Sequence, residues 1–208
     1  MKVSMFLILG LIVVFVVSSF SIQAYAYDPV QWKVADGGNG HYYQVVLVPG
    51  SATPMSAPIT WTEANLAAQA MSGGWHLATI SSSEENAFVF DLVDNIPELW
   101  FDHAGNSIGP WLGASSPTRS SNDFTWVTNE PFAYTNWATL EPYGNGEGLH
   151  FFGYLQGTTP ASTWNDYVDS HGTKGYIVET VVPEPISSIL FITGGAVFAG
   201  RRFFCRKR

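Results

Sequence analysis

Residues 135–166 constrain this chain more than any other stretch. They open with Asn136-Trp137, pass Glu141-Pro142-Tyr143 and cross a glycine-rich loop at residues 144–148. They close on Trp164-Asn165-Asp166. The apolar and aromatic run at residues 149–155 lies between and reads as a strand. The chain must therefore fold as loop, strand and acidic cluster in quick succession. That order brings Glu141, Asn145 and Glu147 towards Asn165 and Asp166. Such a set of hard oxygen donors suits calcium and, through calcium, polyols such as sugars.

Both ends read as addresses rather than fold. Lys2, an uncharged apolar run at residues 6–17 and Ala24-Tyr25-Ala26 have the form of a secretory signal peptide over residues 1–26, with cleavage after Ala26. At the other end Pro183-Glu184-Pro185 precedes an apolar segment at residues 186–200 and a basic tail ending at Arg208. At about 1.5 Å per residue that segment is short for a bilayer core of roughly 30 Å. The order and position of the three parts over residues 183–208 resemble the PEP-CTERM sorting signal of Gram-negative bacteria. The resemblance implies transient membrane contact and processing by an exosortase-type protease. It also implies export to the cell envelope, cell surface or exopolysaccharide matrix. A plain membrane anchor is the other reading of the same segment.

Between the two ends, residues 27–182 suffice for one domain with its own core. The charge there is lopsided. Only Lys33, Arg119 and Lys174 oppose seventeen Asp and Glu over residues 28–184, a net of −14. Such a surface repels nucleic acid. The sole cysteine, Cys205, sits in the basic tail, so the domain has neither disulfides nor a cysteine nucleophile. Its eight Trp argue for a packed core.

Residues 41–48 (HYYQVVLV) read as a first strand and residues 175–181 as a last one, placed to pair with each other. Thr60-Trp61-Thr62-Glu63 has the form of a capping box, opening a helix whose apolar face holds Leu66, Ala67, Ala70 and Met71. A second box, Ser82-Ser83-Glu84-Glu85, opens a helix with Phe88, Val89 and Leu92 on its buried side. Residues 102–109 read as a loop; short strands follow at residues 111–114 and 124–126. The expected class is α+β with long loops.

Taken together these elements resemble a C-type lectin-like domain with its core at about residues 40–180. The residues that carry the likeness are Thr60-Trp61-Thr62-Glu63-Ala64, Gly74-Trp75-His76-Leu77-Ala78-Thr79-Ile80, Ser83-Glu84-Glu85-Asn86 and Trp111-Leu112-Gly113. Phe124-Thr125-Trp126, Asn136-Trp137, Glu141-Pro142, Trp164-Asn165-Asp166 and Tyr176-Ile177-Val178-Glu179 complete it. The resemblance implies two helices, small antiparallel sheets, a long loop region and paired ends. It implies a Ca²⁺ site of Glu141, Glu147, Asn165 and Asp166. Glu141, Tyr143, Asn145, Glu147, Asn165 and Asp166 would then contact carbohydrate, such as a matrix polysaccharide. The chain departs from the family in two ways. Tyr143 stands where the mannose-type motif Glu-Pro-Asn has its Asn, with Asn145 as the nearest substitute. Residues such as Leu149 and Val178 fill the usual cysteine positions.

Each residue also has a plainer reading. Trp111 and Trp164 are core, Asn165 and Asp166 form a turn, and His150 is a satisfied packing residue. Tyr143 is either an exposed loop residue or a stacking surface for a sugar ring. Three functions follow: calcium-dependent carbohydrate recognition, a calcium-independent interaction or structural module, and a glycosidase using Glu141 and Asp166. No nucleophile motif accompanies the carboxylates, so binding rather than catalysis is expected.

Overall fold

The computed structural model describes residues 24–50, 52 and 57–181. The segment before residue 24 and the tail with Pro183, Glu184 and Pro185 lie outside the described residues. Within them run β1 (Tyr25–Ala26), β2 (Val30–Gln31), β3 (Tyr42–Leu47), α1 (Trp61–Ala70), β4 (His76–Leu77) and α2 (Ser83–Asp91). There follow β5 (Phe101–His103), β6 (Asn106–Ser115), β7 (Thr125–Trp126), β8 (Gly148–Gly153), β9 (Trp164–Tyr167) and β10 (Gly175–Thr180). The class is α+β, with two helices against a mixed sheet. No described helix is long and apolar enough to cross a membrane.

The two ends pair as their sequences suggest. Strand β10 lies antiparallel to β3, from Gly175 opposite Leu47 to Thr180 opposite Tyr42. Tyr25 and Ala26 add an edge to β3; the expected cleavage after Ala26 would remove that edge and leave the β3–β10 pairing. A single parallel contact, Tyr176 to Trp111, joins this half to β6, β8 and β9. The expected small sheets are thus one connected path. The expected loop at residues 102–109 instead lies in a hairpin of β5 and β6 turning at Ala104-Gly105, with the expected strand at 111–114 inside β6, which is bulged where it meets β8.

Thr60 caps α1 in both directions: its hydroxyl accepts from the Glu63 N–H at 3.1 Å, and its own N–H donates to Glu63 Oε2 at 3.0 Å. The buried face differs from expectation. Ala64 and Ala68 are fully buried, whereas Leu66 is 61% exposed. The helix approaches the sheet too closely for a larger face: a Cβ on Gly148 would stand 2.8 Å from Trp61 atoms. Trp61 also fixes the approach by donating its indole N–H to the Leu112 carbonyl at 2.8 Å.

Half of the second box forms. Ser82 accepts from the Glu85 N–H at 3.1 Å, but the Glu85 carboxylate turns away to Ser81 and Tyr43. Val89 is fully buried, with Phe88 and Leu92 partly covered.

Trp111 and Trp164 are fully buried, one in each of two hydrophobic clusters. Leu149 and Val178, at the cysteine positions of the resemblance, are likewise fully buried. Apolar packing there replaces a cross-link that would contribute about 2–4 kcal/mol.

Candidate functional site

Strand β9 forms the floor of the site. Pairing with β8 sets Asn165 opposite His150 and Asp166 opposite Leu149. Trp164 anchors it by donating its indole N–H to Asn86 Oδ1 at 2.8 Å. The loop after Leu140 then closes over β9 through a cis Glu141–Pro142 peptide. Asp166, 1% exposed, holds that loop. Its Oδ1 accepts the Tyr143 N–H at 2.8 Å, and its Oδ2 accepts the Asn145 and Gly146 N–H groups, each at 2.8 Å. Gly146 is required, because a Cβ there would collide with the backbone of Asp166 and Tyr167.

Glu141, Tyr143, Asn145, Asn165 and Asp166 line one open cavity of about 270 Å³. Glu147 does not. Its Oε1 receives the Arg119 Nε–H at 2.5 Å, and its Oε2 accepts the Asp169 N–H at 2.9 Å. Burial works against ionisation of Glu147, but the Asp169 N–H and Arg119 together hold it below its ordinary value. Burial, reinforced by the adjacent Asp166, pushes Glu141 up to about 7 against the pull of the Tyr143 N–H.

This donor set does not fit calcium. Three backbone N–H groups point at the Asp166 oxygens, where an approaching cation would meet their hydrogens. A guanidinium already neutralises Glu147. Among the described residues, no group of three or more His, Cys, Asp or Glu is placed to hold a metal ion.

The cavity has partners that sequence reading missed. His103, Asn106 and His171 line it, together with the ring of Tyr167. His103 and Asn106 flank the Ala104-Gly105 turn, and that glycine was the available signal. His103 Nδ1 meets Tyr167 Oη at 2.8 Å; burial and then His171 lower the His103 pKa. Burial pushes Tyr167 up to about 12. Behind the cavity His150 is buried as expected but only half satisfied. Its Nε2 meets Asn165 Nδ2 at 3.2 Å, while Nδ1 has no partner among the described residues. Desolvation drives its pKa down to about 3, so the ring is neutral.

A second polar cluster, also unforeseen, joins α2 to the paired end strands. Tyr43 Oη donates to Glu85 Oε1 at 2.5 Å, and His41 Nδ1 meets Glu179 Oε1 at 2.5 Å. Thr79 and Ser81 each bind these carboxylates through both N–H and hydroxyl. Both buried carboxylates are fully engaged.

Over 114 residues the chain is 30% identical to salivary C-type lectin 2 of Aedes albopictus, covering 52% of this chain and 70% of that protein. The chain belongs to the C-type lectin family. No family model matches it. A lectin of Pleurodeles waltl is 30% identical over 109 residues, 51% of this C-type lectin chain and 56% of that protein. C-type mannose receptor 2 of Mus musculus is 33% identical over 135 residues, 58% of the chain and only 8% of the receptor. The crystal structure of the C-type lectin CEL-I from Cucumaria echinata overlays with a TM-score of 0.48 at 22% identity, over 67% of this chain and 89% of that one. At that level of superposition it does not bear on function. The relatives named here are lectins and a receptor, in keeping with a binding protein rather than an enzyme.

Proposed function

We propose that this C-type lectin chain is an exported carbohydrate-binding protein whose cavity over β9 takes sugar without calcium. The observation that carries the reading is the convergence of Glu141, Tyr143, Asn145, Asn165 and Asp166 on one cavity already held open by protein hydrogen bonds. In this arrangement Asp166 organises the loop, Arg119 supplies the cation that Glu147 faces, and neutral amides remain for sugar hydroxyls. Glu147 thereby becomes a support rather than a ligand of metal or sugar. Family relatives named as lectins support the carbohydrate class.

The remaining assignments rest on sequence signals. Residues 1–26 direct export and residues 27–182 form the domain. Residues 183–208 are the PEP-CTERM signal, recognised by an exosortase-type protease at the membrane of a Gram-negative bacterium. The mature protein then resides at the cell surface or in the exopolysaccharide matrix.

The test is glycan-array binding of the purified chain in EDTA and in millimolar calcium. Equal binding in both is expected. Binding only in calcium refutes the calcium-independent mechanism. Binding to no glycan under either condition refutes the lectin reading and leaves the protein-interaction module, which the solvent-facing Tyr143 favours.

A further inference from the structure

We propose that the end of the sheet where the chain leaves β10 rests on a lipid bilayer through Val30, Val34 and Val181. The inference rests on the reading of residues 183–208 as a membrane-engaging signal. It adds which face of the domain meets that membrane.

Val30, Val34 and Val181 are 43%, 71% and 63% exposed. Single exposed valines are ordinary on a protein surface. These three are gathered by the strand register. Val30 lies opposite Tyr43, and Thr180 lies opposite Tyr42, so Val181 follows level with His41. The Trp32 N–H donates to the His41 carbonyl at 2.9 Å, which continues the same pairing. Val34 comes next: its Cγ2 is 3.4 Å from where a Cβ on Gly40 would stand. Two segments far apart in sequence thus set three apolar side chains around residues 40–43.

The chain beyond Val181 says what covers them. Only residues 182–185 separate Val181 from the apolar segment at residues 186–200. Five residues reach at most about 18 Å when fully extended. Once the apolar segment enters a bilayer, Val181 is held within that distance of it. The surface around residues 40–43 is then the part of the domain that comes down on lipid. Pro183, Glu184 and Pro185 are held at the membrane surface with it.

The charges favour apolar contact over attraction to lipid head groups. Lys33 is exposed between the valines, but the exposed Asp28 and Asp36 on the same segment outweigh it. His41 is turned to the buried Glu179. The valines therefore enter the interfacial region by losing water. The sheet order runs β1-β3-β10-β6-β8-β9. Four strand spacings of about 4.8 Å, about 19 Å in all, separate β3 from β9. Docking at the β3 side leaves the cavity over β9 at the far edge, open to ligand.

The test uses the full chain with Cys205→Ser, carrying a fluorophore at Lys33→Cys or at Asn122→Cys. Asn122 is exposed in the loop whose Arg119 carbonyl neighbours Gly144 of the site. The chain is added to phosphatidylcholine vesicles bearing a head-group quencher. Flotation with the vesicles reports the tether, and quenching reports the face. Quenching at residue 33 should exceed that at residue 122 by at least about threefold, as expected for contact with the interface. It should persist at about 0.5 M salt, which screens charge attraction. Val34→Asp should lower it, and Val30→Asp with Val34→Asp and Val181→Asp should abolish the difference while flotation and the thermal melt stay unchanged. Flotation with equal quenching at the two positions overturns the inference and leaves the tail reading standing. Quenching that salt removes, or that both Asp variants leave intact, also overturns it. Failure to float refutes the tail reading and the inference together.

Discussion

Replacing Asp166 with Asn tests whether this carboxylate holds backbone or metal. The side chain keeps its shape and loses its charge. If the amide oxygen retains the Asn145 and Gly146 N–H groups, the new NH₂ faces the Tyr143 N–H, and one hydrogen bond becomes a donor–donor clash. A hydrogen bond to a charged group contributes about 1.5–3 kcal/mol, so losing one and weakening two costs about 3 kcal/mol. For a domain of this size that lowers Tm by about 6–12 °C, at about 2–4 °C per kcal/mol. Scanning calorimetry in EDTA reads the shift, and calcium should change neither melt. A drop below about 2 °C refutes the loop-organising role. So does a calcium-induced rise in the parent protein that Asp166→Asn abolishes, because the carboxylate would then be ligating the ion.

Glu141 should make stability pH-dependent. Its folded pKa near 7 lies above its ordinary 4.5, so the folded state holds the proton more tightly. The resulting stability is fully present below 4.5 and is lost as pH rises through about 7. Glu141→Gln should therefore melt above the parent at pH 8 and alongside it at pH 4; parallel pH profiles would contradict the shift. Gly146→Ala should cost about 1–3 kcal/mol in urea titrations, because its Cβ has no room against β9. Arg119→Ala, removing a half-exposed ion pair, should cost under about 1 kcal/mol and leave the EDTA melt unchanged by calcium.

Several features were legible in the sequence because their causes are local. Thr60 and Glu63 lie three residues apart and cap each other whatever surrounds them. The β-branched runs in β3 and β10 announce strands, and Trp111 and Trp164 announce core by size. The face of α1 was less legible. Helical spacing offers two apolar stripes, and only the packing of α1 in the assembled fold turns Ala64 and Ala68 rather than Leu66 into the core.

The sequence by itself determined which oxygen donors exist and that one loop and one strand carry them. It could not determine what those donors hold. A carboxylate that accepts three backbone N–H groups reads the same, residue by residue, as one that ligates calcium. Tertiary structure shows what Asp166 accepts, by turning the Tyr143, Asn145 and Gly146 amides onto it. It also brought Arg119 to Glu147 across 28 residues of chain. Both contacts join segments distant in sequence, so their energies depend on a packed fold that no local pattern encodes.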